Sequence, residues 1–477
     1  MNGDKNIVPG ILIAAPSSGS GKTTLSRGLM AALRARGLTV QPFKCGPDYI
    51  DTKYHGAACG RASVNLDLFM ATDEHVRGLY NHYTSLSDPD CGGRRCDVAV
   101  VEGMMGLYDG YKRGEGSSAA VAMTLGLPVV LVVDARSTGF SVAPLLKGMK
   151  EFDHRLEVAG VIFNRVGSER HAAMMREAAE AAGVECLGCV PRCSEVEQAS
   201  RYLGLDFDRS AVEDGLEILA DIIRRHVDLE RLLEIMHLPA HVSADDAPAW
   251  AKDSKDHKDS KDYEVLDEVP RRVMAVAFNN ESFSFVYREH LDILARYGRV
   301  VTFDPEADEV IPPGTELLYL PGGYPERHAE ALEAAAKCRG SIREYAARGG
   351  RIIAECGGMM YLCGSMLLDG EPASAEMVGV LPMEVTARKT DRRLRLGYRS
   401  VMFDDRLYGA ELRGHEFHYT RLTDPDRIPS AATVTDARGA EVDSPIYLTG
   451  STVASYTHLY WGMCDLPGML INDFKQN

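Results

Sequence analysis

The chain has 477 residues, too many for one hydrophobic core, and its hydrophobic fraction of 45% is typical of a globular protein with two or more domains. A formal net charge of −16 disfavours binding to nucleic acid or to an anionic membrane surface. We recognise no signal peptide and no membrane-spanning apolar run, and the 11 cysteines are an odd number, so we expect a reduced, cytoplasmic protein. Cys186, Cys189 and Cys193 have metal-like spacing but lack a fourth ligand nearby, so a structural zinc site is disfavoured.

Apolar, strand-like runs alternate with helical patterns through the first half of the chain. The run "GILIAAP" precedes the helical pattern "TTLSRGLMAALRARG", and "DVAVVEG", "LPVVLVVDA" and the helical "HAAMMREAAEAAG" follow. This alternation predicts an α/β domain with a parallel sheet that is covered by helices on both faces.

The segment "APSSGSGKTT" lies between the first predicted strand and the first predicted helix. That context is typical of a phosphate loop, in which backbone N–H groups and a helix N-terminus hold phosphate oxygens. We expect Lys22 to contact the β- and γ-phosphates and Thr23 to ligate Mg²⁺. Pro16 stands where the motif usually has its first glycine. The predicted nucleotide-binding residues are Ser18, Gly19, Ser20, Gly21, Lys22, Thr23, Thr24 and, further along the chain, Lys44.

Two further segments bring acidic residues into the same domain. "FKCGPDYIDTKYH" carries Asp48 and Asp51, and "VAVVEGMMGLYDG" places Glu102 at the end of a buried strand, with Asp109 in the loop that follows. Acids at the carboxyl ends of parallel strands are typical Mg²⁺ ligands or general bases. Together with the phosphate loop they predict binding of ATP, Mg²⁺ and an acceptor substrate.

A lysine- and aspartate-rich stretch separates the two halves of the chain. It contains "KDSKDHKDSKD" and has little to bury, which is typical of a solvated linker. We therefore predict one domain over residues 1–242, a charged linker over 243–269 and a second domain over 270–477. The second domain again alternates strands ("RRVMAVAF", "RVVTFD", "ELLYLPGG", "RIIAE") with helices ("FVYREHLDILARYG", "ALEAAAKCRGSIREYAARGG"), and the region after Glu384 is predicted to be rich in β-structure.

The second domain carries the pattern of a cysteine nucleophile. "AECGG" places Cys356 between a strand and a helix, on a turn that resembles a nucleophile elbow. A helix N-terminus behind the thiol is expected to lower its pKa. Gly322 and Gly323, in the loop "LPGGYPERH", are candidates for an oxyanion hole that binds substrate. The predicted base is His458, and His415 and His418 remain alternatives. This arrangement predicts acyl transfer.

These motifs together resemble the cobyrinic acid a,c-diamide synthases, within the cobalamin-type glutamine amidotransferases. The residues that carry the resemblance are "SSGSGKTT", "VQPFKCGPDYIDTKYH", "NLDLFM", "VVEGMMGLYDG", "ASRYLGLDF", "ESFSFVYREHLDIL", "LPGGYPERHAEAL", "AECGGMMYL", "MVGVLP", "LGYRS", "RGHEFHY" and "SYTHLYW", in the family's order. The resemblance implies an N-terminal domain similar to dethiobiotin synthetase and a C-terminal class I glutaminase domain.

The resemblance also implies an activity. L-Glutamine would be hydrolysed at Cys356, and the ammonia would amidate the a and c acetate groups of a corrinoid, cobyrinic acid, which ATP activates as acyl phosphates. Thr23, Glu102 and Asp48 are then the expected Mg²⁺ ligands. Asp51 and Asp109 would hold a second Mg²⁺ or orient the acceptor, and Tyr49 and Ile50 would pack on the macrocycle or in the core. The oligomeric state stays open, with a homodimer as one candidate.

The sequence departs from the family's pattern in places, and two rival functions remain open beside the one that the resemblance implies. The usual H-x-E is His458-Leu459-Tyr460, so the group that orients the histidine is not identified, and Tyr202 replaces a histidine. One rival is a sister enzyme that amidates nickel sirohydrochlorin; the more distant cobyric acid synthases are disfavoured by "GPDYID". The other rival is a regulatory P-loop ATPase whose glutaminase-like domain is not catalytic.

Overall fold

The structure is a computed structural model that describes residues 7–86, 95–192, 209–237, 242–243, 246–252, 272–279, 281–370 and 373–473. The chain divides into two compact units, Met1–Lys252 and Asp253–Asn477. Both are α/β, which confirms the predicted fold class. No helix within the described ranges is long and apolar enough to cross a membrane.

A seven-stranded parallel sheet forms the centre of the first unit. Its order is β3-β2-β4-β1-β5-β6-β7, and all the neighbouring strands run parallel. The strands are β1 Gly10–Ala14, β2 Val40–Cys45, β3 Val64–Leu66, β4 Val98–Glu102, β5 Val129–Asp134, β6 Val158–Val166 and β7 Glu185–Pro191. The central strand β1 and its neighbour β4 are buried along their whole length, as expected of a sheet with helices on both faces.

The helices of the first unit follow the predicted alternation. They are α1 Lys22–Ala35, α2 Asp51–Cys59, α3 Asp73–Ser85, α4 Ser118–Leu125, α5 Val142–Glu151, α6 Glu169–Ala181, α7 Arg209–His226, α8 Leu229–Ile235 and α9 Ala249–Lys252. Because β1 lies between β4 and β5, the loops that follow β1 and β4 emerge side by side at one edge of the sheet. This position brings the phosphate loop next to the acidic loop of Glu102.

The start of the predicted linker packs against the first unit. The Asn81 side-chain amide donates to the carbonyl of Asp246 at 2.7 Å, and the Trp250 ring meets the His82 ring edge-on at 5.1 Å. The unit therefore extends to Lys252, whereas the sequence placed its boundary at residue 242. An apolar tryptophan before the charged repeat explains the difference. Residues 253–271 lie outside the described residues, as does the motif "ASRYLGLDF" with Tyr202.

A six-stranded sheet forms the centre of the second unit, in the order β19-β20-β11-β10-β8-β9, and only the pairing of β19 with β20 is antiparallel. The strands are β8 Val273–Ala277, β9 Arg299–Phe303, β10 Thr315–Leu320, β11 Arg351–Glu355, β19 Ile446–Thr449 and β20 Thr452–Ser455. The helices are α10 Arg288–Ala295, α11 Ala329–Ala334, α12 Ala336–Ala347, α13 Gly357–Leu362 and α14 Leu466–Gly468. The single helix predicted over "ALEAAAKCRGSIREYAARGG" is thus two helices, because Ala335 leaves the helical region with a ψ of 60°.

The C-terminal part is rich in β-structure, as predicted. Two four-stranded sheets, β13-β12-β14-β17 and β18-β15-β16-β21, complete the unit. Their strands are β12 Ser365–Leu367, β13 Ser374–Glu376, β14 Glu384–Thr386, β15 Arg395–Phe403, β16 Glu411–His418, β17 Arg421–Leu422, β18 Ala432–Asp436 and β21 His458–Tyr460. The chain therefore changes sheet between Ser455 and His458, and this change decides where His458 lies.

Candidate active sites

The phosphate loop has the backbone that its sequence predicts. Gly19 and Gly21 have φ values of 79° and 90°, a conformation that favours glycine, and α1 begins directly at Lys22. The Lys22 ammonium donates to the carbonyl of Met105 at 2.8 Å, which directs this side chain to the loop that follows β4. Burial lowers the pKa of Lys22. The loop, the helix N-terminus and this lysine provide the donors that a polyphosphate needs.

Strand β6 supports the phosphate loop with two residues that the sequence analysis did not select. The Asn164 amide donates to the carbonyl of Ser20 at 3.0 Å, and a Cβ at Gly21 would lie only 2.1 Å from its Nδ2. The Arg165 guanidinium donates to the carbonyl of Gly19 and forms an ion pair with Asp134. The sequence could have indicated Asn164 and Arg165, because they are the polar residues near the end of the apolar strand "VAGVIFNRV", at the same sheet edge as the loop.

Glu102 is the centre of a buried polar cluster. Its Oε1 lies 2.7 Å from the Thr23 hydroxyl and 2.9 Å from the Lys44 ammonium, and its Oε2 lies 2.7 Å from His55 Nε2. Burial alone raises the pKa of Glu102, but the charge of Lys44 and the bond with His55 hold it well below its usual range. Glu102 and Asp51 raise the pKa of Lys44 against the opposing effect of its burial. The cluster therefore keeps a charged carboxylate beside the phosphate loop.

Asp51, rather than Asp48, completes this cluster. Asp51 Oδ2 lies 2.6 Å from the Lys44 ammonium and 3.3 Å from the Thr23 hydroxyl. Asp48 Oδ1 instead accepts the backbone N–H groups of Ile50 and Asp51, so it caps the start of α2. The spacing of the two aspartates could not separate these roles, because the first residue of the helix decides which side chain turns inward.

The other predicted substrate-binding residues of this unit lie around the cluster. Asp109 Oδ2 accepts the N–H of Gly106 at 2.9 Å, so it shapes the loop that carries Met105. Tyr49 is buried, whereas Ile50 is exposed by 37% and is available to a ligand.

The oxygen atoms of this cluster fit a magnesium ion. The described residues contain no group of three or more His, Cys, Asp or Glu side chains arranged to hold a metal. Mg²⁺ does not require such a group, since it usually binds one or two carboxylates and completes its shell with water and substrate phosphates. Thr23, Asp51 and Glu102 supply hard oxygen atoms of that kind beside the phosphate loop.

In the second unit, Cys356 lies on a strained turn between β11 and α13. Its φ of 47° and ψ of −107° are unusual for a residue with a side chain, and its N–H donates to the carbonyl of Ser455 at 2.7 Å. Gly358 is required at this turn, since a Cβ there would lie 2.0 Å from the Leu320 carbonyl oxygen. This is the geometry of a nucleophile elbow.

The thiol of Cys356 has a raised pKa, opposite to the direction expected from the helix N-terminus. Burial is the main cause, and the charges of Glu326, Glu416 and Glu355 add to it, while the Gly357 N–H acts in the other direction. The helix α13 has only six residues, and its effect is outweighed. The resting residue is therefore a neutral thiol that needs a base.

The loop after β10 places Gly322 and Gly323 against this turn. The Gly322 carbonyl accepts the N–H groups of Ser284 and Phe285. In a planar trans peptide the N–H of the next residue points the opposite way, so the Gly323 N–H is directed away from that pair. A Cβ at Gly357 would lie 2.9 Å from this nitrogen. The backbone nitrogen of Gly323 thus lies next to Gly357, the residue that follows Cys356.

Of the three candidate bases, His458 is the one that faces Cys356 across Gly322. A Cβ at Gly322 would lie 3.1 Å from His458 Nε2 and 3.3 Å from the Cβ of Cys356, so both residues face the same point. His418 donates from Nδ1 to the Thr420 carbonyl, forms a second hydrogen bond with Glu416 through Nε2, and stacks on Tyr456. His415 pairs with His458 across β16 and β21, and burial lowers its pKa to about 3. Cys356 and His458 are brought together because β11, which precedes Cys356, pairs with β20, which precedes His458 in the chain.

Glu355, directly before the nucleophile, was not among the predicted site residues. It is buried, and its Oε2 lies 3.8 Å from His458 Nδ1. Tyr460, where the acid of H-x-E was expected, instead donates its hydroxyl to Glu289. The signal for Glu355 was the acid inside "AECGG" at the end of an otherwise apolar strand.

Two of the three cysteines with metal-like spacing, Cys186 and Cys189, lie on the edge strand β7. Cys186 and Cys189 have sulfur atoms 3.9 Å apart, and the hydrogen bond from Cys189 lowers the pKa of Cys186 to about 7. Cys193 lies outside the described residues.

An alanine at Gly322 should damage the site around Cys356 alone. Its Cβ would lie 2.3 Å from His458 Cε1, closer than real Cβ contacts, so the imidazole must move away from Cys356. We expect the Gly322→Ala variant to lose, by about 100-fold, the glutamate release that the family resemblance implies, which is the usual cost of displacing one catalytic group. Activity with added ammonia should remain. Gly340→Ala is the matched control, since a Cβ at Gly340 meets no atom within 4 Å; equal losses in both variants would contradict the expectation.

The fold and the two sites define a protein that combines a phosphate-loop nucleotide-binding domain with a glutamine amidotransferase domain. Residues 11–204 match the family described as the CobQ/CobB/MinD/ParA nucleotide binding domain. Residues 275–464 match the CobB/CobQ-like glutamine amidotransferase domain.

Named relatives match nearly the whole chain. The hydrogenobyrinate a,c-diamide synthase of Streptomyces coelicolor is 40% identical over 95% of both chains. The enzymes of that name from Rhodobacter capsulatus and Mycobacterium tuberculosis are each 39% identical over 95% of this chain, and the matches cover 99% and 95% of those proteins. The chain therefore belongs to the hydrogenobyrinate a,c-diamide synthase family.

Proposed function

We propose that the protein amidates the a and c acetate carboxylates of a corrinoid in cobalamin biosynthesis, with glutamine as nitrogen donor and ATP as the source of energy. The observation that carries this proposal is the identity of 39–40% with enzymes named for this reaction, over 95% of the chain. The geometry of both sites supports it, because each contains the groups that its half of the reaction requires.

The glutaminase half begins with the neutral thiol of Cys356. As the sulfur attacks the side-chain carbonyl carbon of glutamine, His458 takes the thiol proton, and the N–H groups of Gly323 and Gly357 stabilise the oxyanion. The carbon–nitrogen bond then breaks, and the imidazolium returns the proton to the leaving nitrogen, which departs as ammonia. Water hydrolyses the thioester to glutamate, and the thiol is restored.

The synthetase half activates a carboxylate, which is otherwise a poor electrophile. The substrate oxygen attacks the γ-phosphorus of ATP, ADP leaves, and ammonia then displaces phosphate from the acyl phosphate to form the amide. Lys22 and the loop N–H groups stabilise charge on the transferring phosphoryl group. Thr23, Asp51 and Glu102 would hold Mg²⁺, which supplies further charge neutralisation when bound.

Three tetrapyrrole acids are candidates for the macrocycle that is amidated. The relatives are named for hydrogenobyrinate, whereas the resemblance of the sequence motifs implied cobyrinic acid. We propose hydrogenobyrinic acid as the first substrate to test, with cobyrinic acid and nickel sirohydrochlorin as the two competitors.

Mass spectrometry tests the function and the substrate together. Each acid is incubated with the protein, ATP, Mg²⁺ and glutamine labelled with ¹⁵N in its amide. We expect two labelled nitrogens in the corrinoid and none when ATP is omitted. Label that enters only the nickel tetrapyrrole would replace the corrinoid with that substrate. Absence of label in every acid, with ATP hydrolysis retained, would favour the regulatory ATPase instead.

A further inference from the structure

Glu355 lies beside His458, near its Nδ1 atom. Its Oε1 accepts the N–H of Leu459 at 3.1 Å, and its Oε2 accepts the Tyr319 hydroxyl at 2.8 Å. The same Oε2 lies 3.8 Å from His458 Nδ1, and both side chains are 2% exposed. Two hydrogen bonds therefore hold a buried carboxylate beside the distal nitrogen of the predicted base.

The proposed reaction creates a charge that this carboxylate would balance. The thiol of Cys356 is neutral at rest, since burial raises its pKa, so its proton must pass to His458 during the attack. The resulting imidazolium is buried, and an unpaired buried charge is strongly unfavourable. A carboxylate next to Nδ1 stabilises this state and holds the ring so that Nε2 faces the sulfur.

Three other titratable groups in the described part of this unit, two histidines and one acid, do not supply this charge. Burial lowers the pKa of His290 on α10 well below its usual range, and that of His415 on β16 to about 3, so both are neutral. Glu289 on α10 accepts the hydroxyl of Tyr460, which occupies the position of the acid in H-x-E. Of the two acids, Glu355 thus lies beside the imidazole of His458, whereas Glu289 is bonded to Tyr460.

We propose that Glu355 is the positioning residue of the glutaminase site: its carboxylate, 3.8 Å from His458 Nδ1, keeps Nε2 directed at Cys356 and stabilises the imidazolium by its charge. In the H-x-E pattern the orienting acid stands two residues after the histidine. In this chain the acid in that role is the residue directly before the nucleophile. This inference rests on the proposed glutamine hydrolysis at Cys356.

The test compares Glu355→Gln with three variants in the full-length enzyme. Glu355→Asp keeps the charge, Tyr319→Phe removes one hydrogen bond from the carboxylate, and Glu289→Gln neutralises the rival acid. Glutamate release is measured against pH, and amidation is measured separately with ammonia as nitrogen source. The ammonia assay distinguishes the two ideas, since its failure in the unaltered enzyme would refute the proposed function while the glutamate assay still reports on Glu355.

We expect Glu355→Gln to lower kcat for glutamate release by about 100-fold or more, with a nearly unchanged KM and ammonia-driven amidation intact. The acid limb of its pH profile should move to lower pH, because the imidazole loses the carboxylate that favours its protonated form. Glu355→Asp, Tyr319→Phe and Glu289→Gln should each keep kcat within about tenfold of the native value.

Several outcomes would overturn the proposal. A kcat for Glu355→Gln within threefold of the native value, with an unmoved acid limb, would remove Glu355 from this role. A loss in Tyr319→Phe as large as that in Glu355→Gln would assign the residue a purely structural function. Should Glu355→Gln fail to fold, the charge-retaining Glu355→Asp decides the matter, since its inactivity in a folded, ammonia-competent enzyme would contradict the proposal.

Discussion

Replacing Cys356 with alanine should abolish glutamine-driven amidation and leave ammonia-driven amidation within about twofold of the native rate. The nucleophile has no substitute at the elbow, and removal of a covalent nucleophile typically costs about 10³-fold or more. The synthetase chemistry should continue, because the carboxylate cluster and the phosphate loop belong to the first unit. The measurement is corrin diamide formed per enzyme with glutamine and, separately, with ammonium chloride at raised pH.

Cys363→Ala is the matched control for this experiment. Cys363 is another buried, free cysteine, and it directly follows the helix that starts after the elbow. Its loss removes a thiol from the same core without touching the nucleophile, so glutamine-driven amidation should persist. If ammonia cannot restore product formation in Cys356→Ala while the variant is folded, glutamine hydrolysis at Cys356 is not the supply of nitrogen, and the two-site proposal fails.

Replacing Lys22 with alanine should remove amidation from both nitrogen sources. Lys22 ends the phosphate loop, and its ammonium would stabilise charge on the transferring phosphoryl group. Loss of one such group typically costs about 10²- to 10³-fold in rate. Amidation assays with ammonia provide the measurement, because they do not depend on the glutaminase site.

Lys147→Ala provides the comparison for this variant. Lys147 lies on α5, is largely exposed and pairs with Glu151, so its removal takes one lysine from the same unit at little cost. Its activity should match that of the native enzyme. ATP-dependent amidation that persists in Lys22→Ala, at a rate near that of Lys147→Ala, would assign phosphate binding to other residues.

Local patterns were sufficient for much of the fold. The switch from apolar runs to helical periodicity placed β1, α1 and β4 within a few residues of their bounds, since these elements are buried against one sheet and their patterns follow from that burial. The break between the two helices at Ala335 could not be predicted from the local pattern, because alanine is a strong helix former. The turn there depends on what the two helices pack against. The extension of the first unit to Lys252 depends likewise on contacts of Trp250 with a distant helix.

The pKa of Cys356 illustrates a different limit. The sequence correctly indicates a helix after the thiol, and a helix N-terminus by itself favours thiolate. The opposing effects of burial and of the carboxylates of Glu326 and Glu416 come from residues distant in the chain. Their sum determines the sign of the shift, so only the packed structure could decide it.

By itself the sequence determined the two α/β domains, the phosphate loop at Lys22 and Thr23, the acid at Glu102 and the turn at Cys356, because each depends on neighbours within a few residues. The tertiary structure decided that Asp51 rather than Asp48 faces Thr23, and that His458, among three histidines, lies beside Cys356. It also placed Glu355 next to His458. These choices depend on strand pairing, since β20 joins β11 before the chain enters β21, and such long-range register is not encoded in any short motif.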